Sequence, residues 1–287
     1  MLKHRLIFGV LMTVVFTAVI IVDGWLDGSL TVAAVDKPVQ ATILYLLIGF
    51  LAIPAQLEIS RLAAAKKLKI FTLFSIISSI LLAGGWYWPQ VFELSPVNYL
   101  FFLLVFILFG LFLYQYAFFG TFGTIGNCGV NYFSIIYLGL LSGFVLAVRI
   151  DFGLWPLLMF IFVVKSADIG AYTTGSLFGK HKFSPKISPG KTWEGMAGAV
   201  ALAVIVAVLF AVICDIMPVC LAAIFGICFA FIGQLGDLAE SMIKRDAQEK
   251  DSANNVPGFG GILDIIDSPL AAAPFAYLFF MVTGCVS

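Results

Sequence analysis

The sequence predicts an all-α, polytopic integral membrane protein of about nine transmembrane helices, with the N-terminus cytoplasmic and the C-terminus outside. Three observations carry this. Of 287 residues, 62% are hydrophobic and only 11% charged, against roughly a quarter charged in soluble domains. The mean hydropathy is +1.08, more apolar side chain than a water-soluble interior can hide. Finally, the apolar residues gather in nine runs, most of them near the ~20 residues that a spanning helix needs. A backbone in lipid must satisfy its own hydrogen bonds, and the runs are continuous rather than alternating. That argues for helices and against a barrel.

The runs follow one another in order. Leu6–Val22 comes after Lys3 and Arg5, as in a signal peptide, but only Asp23–Trp25 follows in place of a small-x-small cleavage site. It is read as a retained first helix. Thr42–Leu57, Ile70–Trp88, Tyr99–Phe119 and Val130–Val148 are the next four, with Trp86 and Trp88 placed at an outer aromatic belt. Phe152–Val164 is short alone and is expected to continue through the small residues beyond Lys165. Met196–Ile213, Val219–Leu235 and Leu270–Val286 complete the set. With alternating sides, fourteen of the sixteen Lys and Arg fall inside, and only Lys37 and Arg149 outside, a strong positive-inside bias. The Arg61–Lys69 cluster reads as a cytoplasmic loop touching anionic head groups. Gly120–Gly129 (GTFGTIGNCG) reads as a flexible connector, since no Lys follows and no strand precedes it. Five scattered cysteines lack metal-ligand spacing and read as small hydrophobes.

Two regions emerge. Residues 1–150 carry little chemistry, with charges in loops or at helix ends, and read as a membrane-anchor half. Residues 151–287 read as a catalytic half whose polar residues fall in two cytoplasm-facing blocks, Lys165–Gly195 and Gly233–Ser268. No internal repeat of the kind found in many secondary transporters is visible.

In the first block, Asp168 follows an apolar run, with Tyr172 and Gly175 on the same helical face. An ionised Asp at membrane depth costs about 2.5–3.5 kcal/mol, so Asp168 should face a polar cavity, a cation or Lys165. Lys180, His181, Lys182, Lys186 and Lys191 then interleave with Gly, Ser and Pro, a composition suited to polyphosphate; a plain positive-inside loop is the alternative. In the second block, Asp237, Ser241 and Lys244 share a helical face. Asp264 and Asp267 follow a Gly-rich turn that includes Gly260 and Gly261, and Ser268–Pro269 reads as the start of the last helix. Oxygen ligands without His or Cys favour Mg²⁺, held by carboxylates and substrate phosphates. Lys244, Arg245 and Lys250 would bind phosphate oxygens, the equipment of phosphoryl or nucleotidyl transfer.

These residues resemble the CDP-diacylglycerol synthase, or phosphatidate cytidylyltransferase, family. Ser241, Lys244, Arg245, Lys250, Asp251, Pro257, Gly258, Gly260, Gly261, Asp264 and Asp267 fall where that family's C-terminal signature has the same residue types. Gly236–Leu238 matches as well. So does the upstream block of Asp168, Ala171, Tyr172, Gly175, Phe178, Gly179, Lys180, Ser188, Pro189, Lys191, Thr192, Glu194 and Gly195. Two positions depart: Phe259 stands for the signature His and Ile265 for an Arg, so any phosphate contact those groups make must be filled otherwise.

The resemblance implies transfer of CMP from CTP to phosphatidic acid, giving CDP-diacylglycerol and pyrophosphate in phospholipid biosynthesis. It implies Mg²⁺ on Asp237 and Asp264; the number of carboxylates leaves room for a second, monovalent cation such as K⁺. Asp168 and Lys244 join these two as catalytic residues. Tyr172, Lys180, Lys191, Ser241, Arg245, Lys250, Asp251, Gly260, Gly261 and Asp267 are expected in substrate binding. The expected setting is a bacterial inner membrane with the site facing the cytoplasm, as a homodimer, with membrane lipids but no nucleic acid as partners. A cation-coupled transporter using Asp168, Asp237 and Asp264 stands as the alternative, beside a divergent relative with another nucleotide or lipid and a dead scaffold.

Overall fold

The computed structural model describes residues 2–30, 37–253 and 260–284, with side chains from residue 11 onward. It is that of a polytopic helical membrane protein. Its helices are α1 (Leu2–Asp27), α2 (Thr42–Ala65), α3 (Thr72–Ala83), α4 (Tyr87–Phe92), α5 (Pro96–Phe119), α6 (Thr124–Ile135), α7 (Leu141–Phe152), α8 (Leu154–Phe178), α9 (Trp193–Cys214), α10 (Val219–Asp246) and α11 (Leu263–Thr283). A π-helical segment, Ile136–Leu140, joins α6 to α7 in one 29-residue span. Among the described residues, seven helices are long and apolar enough to cross a membrane, and no strand forms beyond an isolated Lys182–Thr192 bridge. The chain divides into two compact units, Met1–Ile150 with Ala247–Ile265, and Asp151–Asp246 with Ile266–Ser287.

In the first unit the third apolar run breaks. Ile70–Trp88 is not one helix: α3 stops at Ala83, and Gly84–Gly85 separate it from α4. A Cβ at Gly84 would overlap the Trp88 indole, whose N–H donates to Tyr45 Oη at 2.9 Å. That packing fixes the turn. At 12 residues α3 spans about 18 Å, short of the ~30 Å hydrocarbon core. The buried face of α3 is polar. Asn131 Oδ1 accepts from Ser75 Oγ at 2.8 Å and from Phe71 N–H at 2.7 Å, while Gln56 Nε2 donates to Ser134 Oγ at 2.9 Å. These bonds join α2, α3 and α6 where apolar contact alone gives no drive in lipid.

Other expectations for the first unit are corrected. Thr124–Gly129 is the first part of α6 rather than connector, because Asn127 ties it down by accepting from Lys69 N–H at 3.0 Å and donating to Gln115 Oε1 at 3.2 Å. Arg149, expected in an outer loop, is fully buried on α7. It is paired with Asp27 at 2.8 Å and lies 3.6 Å from Asp23. Glu58 is buried inside α2 rather than in a loop or at a helix end. α5 turns Phe101, Phe106, Phe109 and Leu113 outward, as a lipid-facing helix should.

In the second unit α8, α9 and α10 pack through small residues. A Cβ at Gly170 would overlap the Gly198 carbonyl, and one at Gly226 would overlap the Val204 backbone. Glycine on both faces therefore lets the backbones meet. α8 runs past Lys165 to Phe178, as the small-residue stretch predicts. Phe225 of α10 stacks on Phe280 of α11, and Phe279 meets Phe225 and Phe229 edge-on. The last helix starts at Leu263, well before the expected Ser268–Pro269. Its N–H groups are satisfied by a distant acid, a partner that local sequence does not display.

Candidate active site

Three helices and one loop of the second unit bring the charged residues of both polar blocks together. α8 supplies Lys165 and Asp168, whose ammonium and carboxylate lie 3.4 Å apart. The other Asp168 oxygen accepts from Gln234 Nε2 of α10 at 3.2 Å. Lys191, in the loop between α8 and α9, reaches across to α10. Its Nζ lies 2.8 Å from Asp237 Oδ2 and donates to the Gln234 carbonyl at 2.9 Å. One turn on, Ser241 Oγ donates to Asp237 Oδ1 at 3.4 Å, and Lys244 pairs with the fully buried Glu240. Gly236 makes room for α11: a Cβ there would press on Ala271 and on the Asp267–Ser268 backbone.

The carboxylates of Asp237, Glu240 and Asp267 converge, each offering an oxygen within 4.8 Å of the others. Asp267 is buried and accepts the Ser268 N–H at 2.6 Å. Lys165, Lys191 and Lys244 pair with Asp168, Asp237 and Glu240 respectively. An oxygen-only donor set such as that of Asp237, Glu240 and Asp267 suits a hard divalent cation.

The basic loop is ordered by its own hydrogen bonds. Thr192 caps α9, its Oγ1 accepting the Gly195 N–H at 3.1 Å. Glu194 accepts the Lys180 and His181 N–H groups, and its Oε1 lies 2.6 Å from His181 Nδ1. Phe183 N–H donates to the Lys191 carbonyl at 3.2 Å and Trp193 N–H to the His181 carbonyl at 2.9 Å, drawing the loop into a hairpin. Lys180, Lys182 and Lys186 are exposed; a cleft lined by Leu177, Phe178, Gly179, Lys180 and Glu194 opens beside them. Arg245 Nε donates to the Ile187 carbonyl at 3.2 Å. Tyr172 is exposed on α8.

The first unit holds the rest of the signature. Asp264 Oδ2 accepts from Gly261 N–H at 2.7 Å and from Ser252 N–H at 3.1 Å, and lies 2.9 Å from Ser252 Oγ. Gly260 has φ +99°, a conformation that only glycine adopts freely. Lys250 and Asp251 are exposed. Pro257, Gly258 and Phe259 lie outside the described residues, and Ile265 follows Asp264 in the first turns of α11.

Residues 3–283 match the model of the cytidylyltransferase family. The chain belongs to the cytidylyltransferase family. The phosphatidate cytidylyltransferase of Bacillus subtilis is 34% identical to it over 288 residues, 96% of each chain. That of Chlamydia pneumoniae is 33% identical over 252 residues, 79% of this chain and 78% of the relative. That of Haemophilus influenzae is 43% identical over 136 residues, 45% of this chain and 47% of the relative.

Within this cytidylyltransferase, sequence reasoning places Asp168, Lys191, Asp237, Ser241, Lys244 and Asp267 in two polar blocks, and the structure brings them together. It sets Asp237 with Asp264, while the described cluster sets Asp237 with Glu240 and Asp267. It misses Gln234, Glu240 and Glu58. Glu240, three residues from Asp237, carried a helical-spacing signal, and Glu58 carried the signal of an acid at the edge of an apolar run. Gln234 carried none, since a neutral amide near the end of an apolar run is unremarkable in sequence.

Proposed function

We infer that this chain transfers CMP from CTP to phosphatidic acid, forming CDP-diacylglycerol and pyrophosphate. The observation that carries the inference is family membership over nearly the whole chain. The acidic cluster with its surrounding lysines is consistent with it. A phosphatidate oxygen forms a bond to the α-phosphorus of CTP, and the bond from that phosphorus to the pyrophosphate oxygen breaks. The attacking group belongs to the lipid, so the protein need supply no nucleophile. Its task is to hold two polyanions together and to stabilise charge on the departing pyrophosphate. The family membership replaces the transporter alternative.

In this reading Lys191 and Lys244 exchange their carboxylate partners for phosphate oxygens. Lys180, Arg245 and Lys250 offer further positive charge, and Gln234 keeps Asp168 oriented. Tyr172, Ser241, Asp251, Gly260 and Gly261 are kept as proposed substrate-binding residues. Asp237, Glu240 and Asp267 fit a Mg²⁺ ion by their donor type and spacing, and Asp264 is kept as a further proposed ligand, with a monovalent cation such as K⁺ beside it. Bound there, Mg²⁺ would neutralise phosphate charge. The proposal extends to residues 151–287 as the catalytic half and 1–150 as the anchor half, to a homodimer, and to an inner-membrane location with the site facing the cytoplasm.

The deciding assay is purified protein in detergent with phosphatidic acid, labelled CTP and Mg²⁺. Formation of labelled CDP-lipid is expected; none, beside an active control enzyme, overturns the reading. Omitting Mg²⁺ tests the cofactor separately.

A further inference from the structure

Glu58 is 1% exposed on α2, and its carboxylate is taken up by groups far along the chain. Its carboxylate accepts the Ile262 and Leu263 N–H groups, each at 2.9 Å, and the Ser252 hydroxyl at 2.8 Å. Leu263 is the first residue of α11 and Ile262 the one before it, so neither N–H finds a partner inside that helix. Glu58 therefore serves as N-cap for a helix 205 residues further along the chain. Ser252 Oγ lies 2.9 Å from Asp264 Oδ2 as well, so one hydroxyl stands between two carboxylates. Gly261 makes this possible: a Cβ there would overlap both Ser252 Oγ and the Glu58 carboxylate.

We propose that Glu58 is a positioning residue for nucleotidyl transfer: through Ser252 and the first N–H groups of α11, it fixes where Asp264 stands. The proposal rests on reading Asp264 as part of the reaction centre. All three groups that face Glu58 in these contacts are donors, so two good acceptor oxygens are required. Glu58→Gln conserves size but turns one acceptor into a donor aimed at N–H groups. Glu58→Asp keeps both acceptors, withdrawn by one methylene.

The test compares the two variants in detergent by steady-state kinetics and by tryptic cleavage after Lys250, which is exposed in the loop that Glu58 holds. For Glu58→Gln, kcat should fall about 10–100-fold, as for other supporting partners of a reactive group, with KM for CTP within about threefold of wild type. Cleavage after Lys250 should quicken, and Glu58→Asp should retain more kcat than Glu58→Gln. Wild-type kcat and unchanged cleavage in Glu58→Gln would overturn the proposal, as would Gln outperforming Asp, the order expected of a side chain that only fills space. If Glu58→Gln cannot be extracted folded, Ser252→Ala removes the bridging hydroxyl alone; kcat should then fall, and an unchanged kcat counts against the proposal. Should wild-type protein form no CDP-lipid, the reaction reading falls, while the cleavage comparison still judges the hold of Glu58 on the loop.

Discussion

Asp237 takes part in three relations at once: it pairs with Lys191, accepts from Ser241, and contributes an oxygen to the cluster with Glu240 and Asp267. Asp237→Ala, Asp264→Ala and Asp267→Asn should each lower CDP-lipid formation by about 100-fold or more, leaving extractable, helical protein. Raising the Mg²⁺ concentration should partly restore Asp267→Asn, read from the dependence of rate on Mg²⁺; near-normal rates in all three would refute the proposed centre. Gly261→Ala should cost about 1–3 kcal/mol through overpacking against Ser252 and Glu58, seen as a lower thermal midpoint together with reduced turnover. The acids at these positions are legible in sequence because an ionised group at membrane depth needs a reason. Which acids meet is not legible, because it depends on how α10 and α11 are rotated. Spacing alone favours neither Asp264 nor Asp267 as the partner of Asp237.

At the scale of elements, the loop between α8 and α9 reads in sequence as a run of bases, yet the structure separates their roles. Lys180, Lys182 and Lys186 face outward, while Lys191 turns in to Asp237. The capping by Thr192 and the grip of Glu194 on the loop backbone set that difference. Lys191→Met should therefore raise KM for CTP and lower kcat together, with kcat/KM down about 100-fold, whereas Lys182→Met should change kcat/KM by less than about threefold. Equal effects would mean that the loop acts only as a diffuse positive charge. The apolar runs predict the elements well where a run is unbroken, as in α5, α9 and α10. They mislead at Ile70–Trp88, where adjacent glycines end α3, and at α11, whose start depends on Glu58.

For the whole molecule, the distribution of basic residues predicts sidedness, and burial removes one residue from that count. Of the two basic residues assigned to the outside, Arg149 is enclosed with Asp23 and Asp27 and presents no charge to either surface. Lys37 alone then remains as a base assigned to the outside. In a cysteine-free background, Lys186→Cys should react with a membrane-impermeant maleimide only from the cytoplasmic side, and Lys37→Cys only from the opposite side. Labelling of both from one side would refute the proposed orientation. Composition makes the membrane legible, and the polar blocks make the chemistry legible. The buried polar contacts among α2, α3 and α6 are not, because single Gln, Asn and Ser residues in an apolar run carry no partner information.

The cap on α11 also bears on how the protein is made. Glu58 enters the membrane with α2, while the N–H groups it serves come 204 and 205 residues later. At ~5–20 residues per second, synthesis leaves this carboxylate waiting about 10–40 s for its permanent partners. Until then it must find water, a head group or a chaperone, since a buried acid without hydrogen bonds is costly. The contacts of Glu58 with Ser252, Ile262 and Leu263 therefore form late, only after about two hundred further residues have been synthesised.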